Sequence, residues 1–481
     1  MQFLLPILYS AFFIFLVCKM RFFEVPAVSK TQLVLLFGLK LLAGTGVILL
    51  YTYYYTTADF YGYFSDSKIL FSNVVHNTQL PYSSAWTGNF ENVLFSSSRL
   101  MIMLNAFLQL FSFGNFYVHA VFFCFFSYTG LVALLKSFLH HFPGKSTRLV
   151  IALFFIPGVL FWGSAVLKES LVIALTGLFV YVSDFGLRKK YSIPQLLLLL
   201  VLWTFLFLVK IYVALALIPV MLVNISVSRT SANRLALKYV IIFIALGLFS
   251  FAVSTFSSDY NVLKLISDKQ AKAISEAKGG VFLVSEKHFV SVDYNRQQQI
   301  LALQPDSTYR INPRSAYLMW DLENMKDTMF VSDPADPAEV FRLSYSISPA
   351  RSVLKIRKLQ PELLDFIAYS PVAFYNTLVH PGFFEIRSWL HLIVLLENMW
   401  VLLLIVLAVL FLDKSILQEK AILLFCLVFA VLLFVLIGIT TPAIGAMVRY
   451  KSIAELFLVA ACLLAIDEQK LRKRIGFKAS E

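Results

Sequence analysis

Long apolar runs, separated by short polar segments, occupy most of this chain. Runs long enough to cross about 30 Å of hydrocarbon lie near 2–18, 31–53, 116–138, 149–163, 170–185, 195–209, 211–225, 239–256, 388–412, 421–440 and 453–467. The regions 149–185 and 195–225 each fit either a broken pair of helices or a re-entrant hairpin. The pattern predicts an all-α polytopic integral membrane protein with about eleven transmembrane helices.

Basic residues are concentrated in short segments between these runs. The segments are 19–30, 139–148, 186–194, 226–238, 413–420 and the tail that begins near Lys470. They alternate along the chain so that all of them can lie on one side, and an excess of Lys and Arg marks the cytoplasmic side of a membrane. We therefore expect an extracytoplasmic N-terminus and a cytoplasmic C-terminus with a basic tail.

The composition agrees with this class of protein. Of the 481 residues, 59% are hydrophobic and 14% are charged, whereas soluble domains carry about 25% charged residues. Loop orientation accounts for much of the net charge of +13, so no nucleic-acid partner is expected. The cysteines lie in or beside apolar runs without paired spacing, which indicates inert packing thiols.

Two longer segments fall on the outer side. They are a first outer loop, 54–98, and the stretch 257–387, which is long enough to fold as an extracytoplasmic domain. The chain is therefore predicted to consist of an N-terminal membrane module, 1–256, this domain, and C-terminal membrane helices with the basic tail, 388–481.

The stretch 257–387 has a mixed pattern. The runs 280–284 and 289–292 favour short strands, whereas 337–370 favours helices, so we expect a mixed or helical domain. Residues 99–110 carry polar side chains along one stripe. That stripe fits either an amphipathic helix on the outer membrane face or a spanning helix.

Two carboxylates of the first outer loop are candidates for catalysis. Asp59 and Asp66 are seven residues apart, so a helix would place them on one face, two turns from each other. Either can deprotonate a hydroxyl or bind a divalent cation, and the sequence leaves open whether a metal is needed. The alternative is a pair of solvated loop acids.

Three cations are predicted to reach the same outer face. Lys168 follows the helix-breaking pair Pro157-Gly158, Lys210 interrupts an apolar run, and Arg449 lies in the last outer turn. Ionisable groups beside apolar runs usually face a cavity or a partner, and the planar fork of arginine suits a phosphate. We expect these cations, with Glu169, to bind a phosphate-bearing substrate. Interfacial anchoring is the alternative for each cation.

Other polar residues are given structural roles. Lys40 and Glu397 lie inside apolar runs, and a buried Glu–Lys pair between them would satisfy both. The sequence has no HExxH, P-loop, GxSxG or GxGxxG motif, so zinc, nucleotide-driven, serine-hydrolase and dinucleotide chemistries are not supported.

At these residues the chain resembles bacterial polytopic membrane proteins of surface-polysaccharide assembly. More loosely, it resembles the lipid-phosphosugar-dependent glycosyltransferases of the C-type fold. The resemblance rests on the acidic, aromatic first outer loop and on the short segments 161–169, 376–398 and 448–451. The chain departs from the clearest members in lacking an adjacent pair of acids in the loop and an Arg-Tyr-Pro pattern at Arg449.

The resemblance implies roles for the candidate residues. Asp59 would be the general base for the acceptor hydroxyl, and Asp66 would be a second acid or a ligand of a divalent cation. The phosphate of a polyprenyl donor would be held by Lys168, Lys210 and Arg449.

The function implied is that of a membrane glycosyltransferase or polysaccharide polymerase in the bacterial cytoplasmic (inner) membrane. Its partners would be a lipid-linked sugar donor, a glycan acceptor and membrane lipids. A flippase or exporter of a lipid-linked glycan would use the same cations without a base. A non-catalytic scaffold of an envelope assembly complex would use the outer domain as a binding module.

Overall fold

The computed structural model describes residues 3–55, 59–76, 97–229, 234–256, 261–285, 288–293, 301–311, 316–321, 326–331, 340–347, 349–350, 352–386, 388–414 and 420–475. Much of the predicted first outer loop lies outside these residues, as does the end of the basic tail. The chain divides into two compact units. Unit 1 comprises Met1–Thr255, Pro371–Ile437 and Val448–Glu481, and unit 2 comprises Phe256–Ser370 and Gly438–Met447.

Helices make up most of the described chain. They are α1 (Leu4–Lys19), α2 (Lys30–Leu50), α3 (Asp59–Val75), α4 (Ser97–Ser112), α5 (Phe116–His141), α6 (Ser146–Phe154), α7 (Pro157–Trp162), α8 (Lys168–Lys189), α9 (Ile193–Val209), α10 (Ile211–Arg229), α11 (Leu235–Phe256), α12 (Val262–Lys278), α13 (Leu363–Val379), α14 (Trp389–Leu410), α15 (Lys420–Thr440), α16 (Ile444–Ala465) and α17 (Glu468–Ile475).

Six helices of the described chain are long and apolar enough to cross a membrane. They are Lys30–Tyr54, Phe116–His141, Lys168–Lys189, Leu235–Val253, Trp389–Leu410 and Ala421–Thr440. A helix suits lipid because it satisfies its own backbone hydrogen bonds. These six correspond to six of the eleven predicted spans, so the helical membrane architecture is supported and the predicted number is not confirmed.

The other five predicted spans are short, broken or charged. Leu4–Lys19, Ile193–Val209 and Ile211–Val227 are apolar helices of at most 17 residues. The segment 149–163 is not one continuous span, because Pro157 starts a new helix and divides it into α6 and α7; the alternatives of a broken helix pair or a re-entrant hairpin over 149–185 stay open. The last predicted span lies in α16, which carries several charged residues near its start.

The predicted helix over 99–110 is confirmed as α4, a helix of 16 residues. Its placement on the outer membrane face stays a prediction. Asn105 and Gln109 of this helix are buried, whereas Met103 and Phe107 are exposed. The buried stripe carries the polar side chains because they bond with neighbours: Asn105 Oδ1 lies 2.7 Å from His119 Nδ1 on α5, and Gln109 Nε2 donates to Ser67 Oγ on α3 at 2.9 Å.

Unit 2 contains an antiparallel sheet of seven strands. The strands are β1 (Gly280–Val284), β2 (His288–Asp293), β3 (Leu301–Leu303), β4 (Thr308–Ile311), β5 (Ala316–Asp321), β6 (Lys326–Val331) and β7 (Phe341–Ile347), in the order β3-β4-β7-β1-β2-β5-β6. Val281, Leu283, Val290, Val292 and Phe341 form its small apolar core, which follows from the two-residue period of a strand.

The outcome for the predicted secondary structure of this region is mixed. The two predicted strands are confirmed as β1 and β2. The helical prediction for 337–370 is wrong over Phe341–Ile347, which is a strand, and is confirmed from Leu363 onward. Strand β7 is held between β1 and β4 by backbone pairing on both edges, and a single-sequence pattern does not show such distant partners.

The buried side chain of Gln270 organises the rest of unit 2. From α12 its amide donates to the carbonyl oxygens of Arg357 and Ile439, and its Oε1 accepts from the backbone N–H of Leu359. One glutamine therefore joins three separate chain segments, including the short segment Gly438–Met447.

Candidate functional site

Four of the predicted site residues meet in unit 1 around Arg449 of α16. Arg449 Nη1 donates to Asp59 Oδ2 at 2.9 Å, and Arg449 Nε lies 3.5 Å from Glu169 Oε1. Asp59 is the first residue of α3 and Glu169 is the second residue of α8. Asp59 and Glu169, which are distant from each other and from Arg449 in the chain, thus contact the same guanidinium group.

Lys210 completes this arrangement from the break between α9 and α10. Its backbone is extended, with φ −148° and ψ 91°, which ends α9 and turns the side chain towards α8. Lys210 Nζ donates to Glu169 Oε1 at 2.7 Å, and both side chains are less than a tenth exposed. The structure thus brings Lys210, Glu169 and Arg449 together, whereas their binding of a phosphate stays a prediction.

Aromatic rings line the cationic groups. Lys210 Nζ lies 3.4 Å from the ring centroid of Tyr450 and 5.6 Å from that of Tyr212. The guanidinium carbon of Arg449 lies 5.2 Å from the Tyr450 ring. A ring face attracts a cation through its quadrupole, so Tyr450 stabilises both charges without neutralising either.

Lys168 lies beside this group and contacts different residues. Its Nζ donates to Ser98 Oγ of α4 at 3.3 Å and lies 5.7 Å from the ring of Tyr63 on α3. Burial raises the pKa of Tyr63, and the neighbouring Asp59 raises it further, so the phenol stays protonated. Lys168 therefore faces a neutral, hydrogen-bonding surface.

We call Asp59, Lys168, Glu169, Lys210 and Arg449 the charged cluster. Its three cations exceed its two carboxylates by one positive charge. Within the described part of the chain, Arg449 Nε and Glu169 Oε2 are buried and have no hydrogen-bond partner. Buried polar atoms are normally bonded, and a buried cluster with one excess positive charge suits an anionic ligand. A small cavity lined by Glu169, Lys210, Tyr212 and Tyr450 adjoins the cluster.

Asp66 lies apart from Asp59 on the same helix. The seven intervening steps correspond to about 10 Å along the axis, and the Asp66 side chain is fully buried, whereas that of Asp59 is 34% exposed. Among the described residues, no group of three or more His, Cys, Asp or Glu side chains is arranged to hold a metal ion. Of the two acids, Asp59 is the more exposed and the one that contacts Arg449.

An apolar groove runs along the same helices that carry Glu169 and Lys210. Phe179 of α8, Leu199 and Trp203 of α9, and Leu217 and Met221 of α10 line a space of about 290 Å³. Trp203 precedes Lys210 by seven residues and Leu217 follows it by seven, so each of these two lining residues is about 10 Å of helix axis from the backbone of Lys210.

The predicted pair between Lys40 and Glu397 is wrong. Glu397 Oε1 instead accepts a hydrogen bond from the backbone N–H of Gly158 at 2.9 Å. Lys40 is fully buried on α2, and its Nζ has no hydrogen-bond partner within the described ranges. The reason is helix packing: α14, which carries Glu397, contacts α7, where Gly158 has no side chain to keep the carboxyl group away.

Sequence reasoning missed the aromatic and hydroxyl groups of the charged cluster. Tyr450 follows Arg449 directly and Tyr212 lies two residues after Lys210, so an aromatic residue close to each membrane-edge cation was a usable signal. Ser98 and Tyr63 had no comparable signal, because only the packing of α3, α4 and α8 brings them to Lys168.

Comparison with family models, curated proteins and solved structures finds no match for this chain. The function proposed below therefore rests on the chemistry of its own residues.

Proposed function

We propose that the protein is a membrane glycosyltransferase or polysaccharide polymerase that uses a polyprenyl-phosphate-linked sugar donor on the extracytoplasmic side of the bacterial cytoplasmic membrane. The observation that carries the proposal is the charged cluster, in which Arg449 pairs with the partly exposed Asp59 and with the buried Glu169, Lys210 pairs with the same Glu169, and Lys168 is the neighbouring residue on α8. The apolar groove along the same helices supports it.

The cations supply a site for the donor phosphate. Arg449 offers a planar fork for two phosphate oxygens, and Lys210 and Lys168 add point charges. In the free protein Asp59 and Glu169 occupy these groups. A phosphate would displace the more exposed Asp59 from Arg449 and leave the buried Glu169–Lys210 pair in place.

The groove accounts for the hydrocarbon part of the donor. A polyprenyl chain attached to a phosphate at Lys210 would run between α8, α9 and α10, past Trp203 and Met221. Such a chain is apolar along its whole length, so burying it in the groove adds affinity in proportion to the area removed from water. The phosphate and the chain are thereby recognised by two different surfaces of the same helices.

Asp59 then acts as the general base. Once phosphate replaces it at Arg449, its carboxylate accepts the proton of the acceptor hydroxyl. The hydroxyl oxygen forms a bond to the anomeric carbon, the bond between that carbon and the phosphate oxygen breaks, and the polyprenyl phosphate leaves. Fixed cations stabilise the negative charge that develops on the leaving phosphate.

The test is glycan analysis in cells that carry Asp59→Asn, with Glu24→Gln as the control for loss of one exposed carboxylate remote from the cluster. We expect Asp59→Asn to abolish product and accumulate lipid-linked precursor on the outer leaflet, with normal amounts of protein in the membrane. Unchanged product in Asp59→Asn would remove Asp59 from the mechanism and reject the transferase.

A lipid-linked glycan flippase or exporter is the second candidate. It is favoured by the ion pair between Asp59 and Arg449, because the carboxylate oxygen that contacts the guanidinium is not free to contact an acceptor hydroxyl. Purified protein in liposomes separates the two functions. A transferase forms a new glycosidic bond from lipid-linked donor and acceptor, whereas an exporter moves the donor lipid between leaflets and forms none.

A further inference from the structure

A second group of buried ionisable residues lies in unit 1, and the charged cluster does not include it. Glu397 of α14 and Lys451 and Glu455 of α16 are each at most 4% exposed. From these contacts we propose that Glu397 and Glu455 share one exchangeable proton, so that the helices contain a proton-binding site. This site does not depend on the proposed transferase activity.

The two carboxyl groups lie well inside their helices. Glu397 is eight residues into α14 and Glu455 is eleven residues into α16, which corresponds to about 12 Å and about 16 Å of helix axis. Ionisable groups buried inside the helices of a membrane protein are costly, and they commonly mark proton or ion pathways. Both residues thus occupy positions where a purely structural role would be served better by an apolar side chain.

Each neighbouring polar group has a defined contact. Gly158 of α7 donates its backbone N–H to Glu397 Oε1 at 2.9 Å. Lys451 Nζ lies 3.1 Å from Glu455 Oε1 and donates to Asn398 Oδ1, and Asn398 Nδ2 donates to the carbonyl oxygen of Val379 at 2.9 Å. Lys451 is therefore held by Asn398 and Glu455, and Glu397 interacts electrostatically with both Glu455 and Lys451.

The charges of this group do not balance when every member is ionised. Lys451 contributes one positive charge, and Glu397 and Glu455 contribute two negative charges. Two like charges held close together in a medium of low dielectric constant repel strongly. One proton on the carboxyl pair removes the excess charge and replaces the repulsion with a hydrogen bond between the two groups.

Glu455 provides a second and independent observation. It is 1% exposed; its Oε1 forms the ion pair with Lys451 Nζ at 3.1 Å, and within the described chain its Oε2 has no hydrogen-bond partner. A buried acceptor is normally bonded to a donor. A protonated Glu397 would be such a donor, because it is the nearby acid that already interacts with Glu455.

The experiment is infrared difference spectroscopy of the full-length protein in lipid nanodiscs while the pH is raised and lowered. The carboxylic C=O stretch reports protonated acids directly. We expect the wild type to show a buried carboxylic acid that persists at neutral pH and disappears at alkaline pH. Glu397→Gln and Glu455→Gln should each lose this band, while Glu24→Gln, which removes an exposed carboxylate, should keep it.

Three results would overturn the proposal. The first is a wild type without a buried carboxylic acid band at any pH, which would mean that both carboxylates are ionised and another cation balances them. The second is a band that both glutamine variants retain. The third is a band that changes equally in Glu24→Gln. Glutamine keeps the size and one hydrogen-bond donor of a protonated glutamate, and a melting curve of each variant verifies its fold.

Discussion

Helices α5 and α8 pack backbone against backbone where Gly130 faces Gly177. A Cβ atom placed on Gly177 would lie 2.1 Å from the carbonyl oxygen of Gly130, and a Cβ atom on Gly130 would lie 2.4 Å from the carbonyl oxygen of Ile173. Small residues allow such close approach between membrane helices. Gly177→Ala should therefore force the two helices apart.

The expected cost follows from these distances. The alanine Cβ must move from 2.1 Å to the 3.4 Å at which ordinary van der Waals contact begins, a displacement of about 1.3 Å. The obstructing atoms are backbone atoms of Gly130, which cannot rotate away. Overpacking of this kind costs about 1–3 kcal/mol, whereas alanine in a helix gains only about 0.5–1 kcal/mol over glycine. We expect a net loss of about 1 kcal/mol, the difference between the middle values of the two ranges.

The assay is reversible unfolding of the purified protein in detergent, with Gly38→Ala as the matched control. Gly38 lies on α2 and has open space around its Cβ position, so its replacement should be neutral or slightly stabilising. Gly177→Ala should unfold at a lower denaturant concentration than the wild type. Equal stability of the two variants would refute the inference that α5 and α8 are in backbone contact.

Two further predictions concern ion pairs. Glu169→Gln leaves the buried Lys210 ammonium group without its carboxylate and should lower the free energy of unfolding by about 3–5 kcal/mol. Adding Lys210→Met should recover part of this loss in unfolding experiments. Strictly additive losses in the double variant would contradict the pairing. Burial raises the pKa of Glu385, but hydrogen bonds from His380 and the backbone N–H of Gly382 outweigh it and hold the pKa below 4.5. The stability that these bonds add is therefore present above about pH 4.5 and is lost as the pH falls through the lower pKa of Glu385 in the folded protein. The difference in melting temperature between wild type and Glu385→Gln should shrink in acid. A difference that stays constant with pH would contradict the prediction.

Local pattern was sufficient to predict the long membrane helices and the first strands of the sheet. The runs that became α2, α5 and α15 are long and predominantly apolar, and lipid permits only structures that satisfy every backbone hydrogen bond internally. The charged members of the cluster could also be selected as candidates, because an ionisable side chain beside an apolar run needs a partner wherever it lies.

The choice of partner depended on how distant helices pack. Arg449 meets Asp59, which is 390 residues away, and Glu397 meets Gly158 rather than Lys40 because α14 lies against α7. A buried charge requires compensation, but any opposite charge or suitably placed donor can provide it. The sequence therefore shows which residues need partners, whereas the packing of helices far apart in the chain selects the partner that each one finds.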